Sequence, residues 1–234
     1  MNKSTETSIT VNQETYPVSI IRKKYACFSI RVRYNLRVFV HCPNNINDEK
    51  AMDYLNSNLD WLEKTIKLVK YKLSLFPINE IIAGKKLLWF GDILSIVIKE
   101  EMTIPFKFEN DFLYVPISYY ESFHEIEKFA RSIIIDKYNY WLHKLVSNPG
   151  SVLPLTFRIM NARWGSCNVK TKHISLNSRL YHLPLGLVTY VIIHELLHLQ
   201  YPNHGKEFHK RLEKIISGHR RYEKELKNYE VLLF

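Results

Sequence analysis

Long apolar runs are scarce in this sequence, and the expectation is a chain that neither enters nor crosses a membrane. Met1 to Thr15 is polar and holds no apolar stretch of the kind a secretory signal needs. The most apolar window, Leu185 to Leu199, contains His194, Glu195 and His198 and is too short to cross a bilayer. Cysteine is scarce as well. Cys27, Cys42 and Cys167 are odd in number, scattered and without a C-x-x-C pair, which excludes a disulfide framework and a zinc knuckle. Cys27 and Cys42 are poor partners across a hairpin. Cys42 is in phase with Leu36, Val38 and Val40, whereas Cys27 is out of phase with Phe28, Ile30 and Val32, so the two point to opposite faces. No Ser/Gly-rich linker, low-complexity tract or internal repeat divides the chain. The expectation is a soluble cytoplasmic protein.

What is present is core material. Hydrophobic residues make up 46% and aromatics 13% of the 234 residues, enough for one large domain or two small ones. The net charge of +10 suits an anionic partner such as nucleic acid or an acidic protein surface. No dense basic run appears, so a Lys-rich solvated surface is an equal reading.

Tyr25 to Val32 and Leu36 to Cys42 alternate apolar and polar residues around Arg33-Tyr34-Asn35, the pattern of a β-hairpin with one face on a core. Asn47 is a cap for a helix whose apolar stripe runs from Met52 through Leu55, Leu59, Leu62, Ile66 and Val69 to Leu73. Short strands follow. Leu87 to Phe90 and Ile93 to Ile98 flank Gly91-Asp92, suited to a type II′ turn, and a second pair flanks Glu109-Asn110-Asp111. With the first hairpin these are expected to join one antiparallel sheet. A long helix spans roughly Tyr120 to Val146 and is stopped by Asn148-Pro149-Gly150. Strands at Leu155 to Met160 and Lys172 to Leu176 then lead to a helix that starts at Pro184.

That last helix holds the chemistry. It reads Val191-Ile192-Ile193-His194-Glu195-Leu196-Leu197-His198 and is apolar almost all round, so it is expected to be buried and to open to solvent at one place. Histidines at i and i+4 share a helix face about 6 Å apart and can reach one ion. Pro202 breaks the helix, and Asn203 can cap a new one containing Phe208 and Leu212. The break lets His204 turn back, whereas on a straight helix it would lie about 9 Å too far along. His194, His198 and His204 are therefore the expected ligands of one zinc ion, with a fourth position open to water. Glu207 and Glu213 are weaker candidates for the third ligand. Glu195 is the expected general base, taking the proton of the activated water and delivering it to the leaving amine. Among the other histidines, His173 and His182 could line a cleft, and His209 reads as surface.

Arg163-Trp164-Gly165-Ser166-Cys167, then Ile174-Ser175-Leu176-Asn177, then Tyr190 through Leu199 and Asn203-His204 to Phe208 resembles the YgjP-like family of zinc metallopeptidases, which is related to SprT-like proteins and other zincins. The likeness extends to the early Arg-rich hairpin, to Asp60-Trp61-Leu62 and to Phe90-Gly91. It implies an α+β fold with a zincin-like core around the His-Glu-x-x-His helix, preceded by an antiparallel-sheet-rich half with an amphipathic helix. It also implies that His194, His198 and His204 match the family's metal ligands and Glu195 its catalytic carboxylate. Arg163 to Cys167 and Ile174 to Asn177 would border the cleft, where an exposed edge could take a peptide by strand addition. The other reading of these residues is structural, with Trp164 packing and Gly165 permitting a tight turn. Arg179, Tyr181 and His182 are candidates for an oxyanion stabiliser.

The expected organisation is a polar extension over residues 1–15, a sheet-rich part over 16–118 and a metallopeptidase core over 119–234, or one domain over 16–234. The expected activity is zinc-dependent hydrolysis of peptide bonds in a peptide or protein substrate. The alternatives are a metal-dependent hydrolase of a non-peptide amide, and a nucleic-acid-associated module with a structural zinc site. SprT-like relatives act on DNA-attached proteins, so a basic charge and a peptidase can coexist.

Overall fold

The computed structural model describes residues 4–24, 26–117, 119–146 and 153–233. They form a mixed α+β protein with two compact units, Met1–Phe76 and Pro77–Phe234. The strands from Lys86 to Pro116 share a core with the helix that follows them rather than with the first hairpin.

In the first unit, β1 (Ser4–Val11) and β2 (Glu14–Lys23) pair antiparallel across residues expected to be an extension. Ile9, Val11, Tyr16, Val18 and Ile20 all bury on one face of this pair, a period-2 pattern masked in the sequence by the polar residues between them. The expected hairpin follows as β3 (Ser29–Val32) and β4 (Val38–Pro43). Because β4 runs parallel to β2, the sheet order is β1-β2-β4-β3. Cys42 is buried, Cys27 is exposed, and both are free thiols.

The Asn47 side chain caps α1 (Asp48–Asn56), accepting from the Lys50 N–H at 3.0 Å. The single helix expected from here to Leu73 breaks at Ser57-Asn58 and resumes as α2 (Leu59–Ser74). The Asn58 and Ser57 side chains both bond back to the Tyr54 carbonyl, offering the backbone an alternative to continuous helix. Leu55, Leu62 and Ile66 complete the core over Val18, Ile20, Val38 and Val40.

The second unit opens with the short α3 (Ile78–Ile82), then β5 (Lys86–Trp89), β6 (Asp92–Lys99), β7 (Lys107–Glu109) and β8 (Phe112–Pro116). These strands form a sheet of their own, ordered β5-β6-β8-β7 with β6 and β8 parallel, instead of joining the first hairpin. The order and the parallel central pair repeat those of the first sheet. Ile126 and Ala130 of α4 (Tyr119–Leu145) pack against Leu87, Leu94, Leu113 and Val115. The expected stop at Asn148-Pro149-Gly150 lies outside the described residues.

A third sheet contains β9 (Leu155–Arg158), β10 (Gly165–Asn168) and β11 (His173–Asn177) in the order β10-β11-β9. A 3-10 turn (Ser178–His182) feeds α5 (Leu185–Leu197), which is followed by α6 (Lys206–Ile215), α7 (His219–Leu226) and a final 3-10 turn (Tyr229–Leu233). Helix α5 is buried on most sides, as its composition predicts. Among the described residues no helix is long and apolar enough to cross a membrane.

The start of α5 is held by the β5–β6 hairpin. Its two loop residues are Phe90 and Gly91, with φ of 47° and 100°, a type I′ pattern rather than the expected type II′ turn at Gly91-Asp92. The Phe90 N–H donates to the Tyr181 carbonyl at 2.6 Å, and His182 Nδ1 donates to the Leu88 carbonyl at 2.9 Å. A Cβ on Gly91 would stand 2.9 Å from Pro184 Cγ, so the hairpin tip lies directly against the residue that opens α5.

Candidate metal centre

His194 occupies the last turn of α5 and His198 is its C-cap residue. Leu199, Gln200 and Tyr201 continue in turns that return to the Leu196 and Leu197 carbonyls, and α6 starts after Gly205 rather than at a cap on Asn203. His204 sits in the loop between them. Its Nε2 lies 2.9 Å from His194 Nε2, which in turn lies 3.2 Å from His198 Nε2. Phe208, 1% exposed, packs against all three rings, with centroid distances of 5.0, 4.9 and 4.9 Å to His194, His198 and His204.

These three nitrogens fit a divalent metal. In a tetrahedral zinc site with Zn–N of about 2.0–2.1 Å, neighbouring nitrogens stand about 3.3–3.4 Å apart, close to the spacings found here. His198 Nδ1 donates to the Tyr201 carbonyl at 3.0 Å, which fixes the tautomer and leaves Nε2 with its lone pair. Burial, with repulsion from the neighbouring histidines, pushes His194 down to about 3, and burial lowers His198 too. Both rings therefore stay neutral, the form that binds metal. Among the described residues this is the only histidine, cysteine and carboxylate cluster that gathers in this way.

Glu195, 7% exposed, follows His194 on α5 and lines the same cleft, and burial pushes its carboxyl up to about 7 against the opposing pull of Arg163. Space for it comes from Gly165. A Cβ there would stand 2.6 Å from Glu195 Cγ and 2.8 Å from Oε1. Gly165 is thus needed for room at the carboxylate, not for a tight turn. Its loop is clamped by Asn177, which is fully buried: Nδ2 donates to the Met160 and Arg163 carbonyls at 2.6 and 2.9 Å, and Oδ1 accepts from the Arg179 N–H at 3.1 Å.

The centre opens into a cleft of about 680 Å³ bordered by Arg163 to Cys167, by Tyr190 on α5 and by side chains of α7. The strand expected at its edge, β11, is instead the central strand of its sheet, and among the described residues the terminal strand that borders the cleft is β10. Cys167 lines the cleft as a neutral thiol, pushed up to about 11 by burial.

The remaining candidates go elsewhere. His173 bonds Thr156 Oγ1, His182 is tied to Leu88, and neither they nor Arg179 and Tyr181 line the cleft. Glu213 holds His219, and Glu207 is outside the cluster. His209 is not on the outer surface but lines the cleft, bonded to His219. The resemblance puts Gly165 and Asn177 in segments that border the cleft, but the room Gly165 leaves for Glu195, the clamp made by Asn177 and the His209–His219 pair were not legible in the sequence. The first two act on residues far off in the chain. The pair offered one signal, two histidines ten apart around Ser217-Gly218.

The family model described as "YgjP-like, metallopeptidase domain" matches residues 27–229. No curated protein matches the chain. Over 40% of its length the chain is similar to 90% of the chain in the crystal structure of the metallopeptidase zymogen of Pyrococcus abyssi abylysin, at 21% identity and a TM-score of 0.36. Over 42% it is similar to 96% of the chain in that of the metallopeptidase zymogen of Methanocaldococcus jannaschii jannalysin, at 30% identity and a TM-score of 0.36.

Proposed function

We propose that this chain, which belongs to the YgjP-like metallopeptidase family, hydrolyses peptide bonds with one zinc ion held by His194, His198 and His204 and with Glu195 as the proton carrier. The observation that supports this best is the convergence of three imidazoles in an open cleft that the buried carboxyl of Glu195 also lines. On this reading the catalytic core is a zincin-like one that lies within Pro77–Phe234, since every site residue belongs to that unit.

A zinc ion in such a donor set activates water near neutral pH and polarises a carbonyl oxygen. Glu195 takes the proton of the attacking water and hands it to the leaving nitrogen. Burial raises the Glu195 carboxyl to about 7 in the metal-free chain, and a bound cation would draw it toward the ionised form that accepts the proton. Gly165 keeps the Glu195 carboxylate in its place. The outer edge of β10 offers an extended peptide backbone partners by strand addition, which favours a peptide over a non-peptide amide. A purely structural zinc site would be closed by a fourth protein ligand, whereas the cleft here reaches the three nitrogens.

Dialysis against a chelator should abolish cleavage of unfolded casein, and one equivalent of Zn²⁺ per chain should restore it. Cleavage that survives complete metal removal would end the zinc reading. Tight metal binding by a wild type that cleaves nothing would favour a structural site.

A further inference from the structure

The cleft wall beyond His204 carries a polar assembly that the chemistry above does not use. Glu213 accepts from the Gly218 N–H at 2.8 Å and from His219 Nδ1 at 2.6 Å. His219 is 5% exposed, and its Nε2 stands 3.2 Å from His209 Nδ1. His209 is half-buried and lines the cleft, its ring centroid 6.5 Å from that of His204. One chain of hydrogen bonds therefore runs from a carboxylate at the α6–α7 junction to the wall of the cleft.

The direction of that chain follows from proton counting. An ionised carboxylate only accepts, so with a single proton on the His219 ring that proton sits on Nδ1 and Nε2 is a lone pair. The contact to His209 then requires a proton on His209 Nδ1, which leaves His209 Nε2 as an acceptor. Apart from the His204 carbonyl, the ring has no other hydrogen-bond partner among the described residues. A free histidine on a cleft wall would exchange tautomers and rotate. Here the carboxylate, itself pinned by the Gly218 N–H, fixes both.

We propose that His209 is a substrate-binding residue of this cleft, whose Nε2 accepts a hydrogen bond from an N–H donor of the bound peptide, and that His219 and Glu213 are positioning residues that hold it in that tautomer. The identity of the ligand rests on the peptidase reading above, while the geometry of the chain does not.

Long-range ¹H–¹⁵N spectra of the zinc-loaded protein should show His209 with an unprotonated Nε2 that shifts when casein peptides are added. Glu213→Gln, which no longer demands a proton on His219 Nδ1, should give a mixture of His209 tautomers. In turnover of unfolded casein, His209→Phe should raise KM on the order of 10-fold, with the larger share of the effect in KM rather than kcat. His209→Gln keeps an acceptor oxygen and should recover part of that loss. A protonated Nε2 in the wild type, no response to peptide, or a wild-type KM in His209→Phe would overturn the proposal. A peptide-induced shift in a wild type that cleaves nothing would sustain the His209 subsite and count against the peptidase reading, so the two failures can be told apart.

Discussion

Two hairpins in this chain, β1–β2 and β5–β6, close on two-residue loops in which both residues have positive φ: Asn12 and Gln13 at 50° and 68°, Phe90 and Gly91 at 47° and 100°. Each hairpin is the first half of a four-stranded sheet with the same strand order. Asn12 and Gln13 are exposed. The tip of the second hairpin instead meets Tyr181, His182 and Pro184 immediately before α5. The comparison separates two demands on a tight turn. Positive φ alone tolerates Asn and Gln at a modest cost, whereas positive φ with a proline ring where Cβ would stand requires glycine. The second sheet thereby becomes the support of the site helix.

Breaking the docked tip should have the largest effect. Gly91→Ala adds a Cβ at a left-handed backbone position and drives it into Pro184, so urea unfolding should show a loss of about 2–4 kcal/mol. Zinc titration should show weaker binding, because Pro184 leads directly into the helix that carries His194. Wild-type values on both counts would mean that the tip is not seated on α5.

The next effect should appear with pH. Burial pushes His182 down to about 4 in the folded chain, below its ordinary value near 6.5. The unfolded chain therefore binds the extra proton first. The contribution is present in full above pH 6.5 and is lost as pH falls toward 4, about 3 kcal/mol for a shift of this size. His182→Asn keeps a donor for the Leu88 carbonyl without the titration and should flatten this part of the stability profile in the metal-free protein. An unchanged profile would remove His182 as its source. At the exposed tip, Gln13→Gly relieves a left-handed residue and should stabilise by about 0.5–1 kcal/mol, offset in part by unfolded-state entropy, without altering cleavage. A clear loss of activity there would erase the contrast between the hairpins.

Periodicity and punctuation made much of the site half legible. Pro184 marks the start of α5, the apolar run predicts its burial, and the turn beyond Pro202 returns His204 to His194. Long-range contacts were not legible. Gly165 and Glu195 are thirty positions apart and meet only through folding, so the space one leaves for the other has no local signature. β11 reads as a strand from its alternation, but its central place depends on β9 pairing from the far side. The first fifteen residues hide a sheet edge because their apolar positions alternate with Thr, Ser and Glu, a sparse pattern that gains meaning only when β2 covers it.

The proton-carrier role of Glu195 beside the three histidines is tested most directly by Glu195→Gln, assayed for bound zinc and for cleavage of unfolded casein in the same preparation. Zinc should remain at one ion per chain while turnover falls about 10²–10⁴-fold. Turnover near the wild-type level with zinc fully bound would contradict that role.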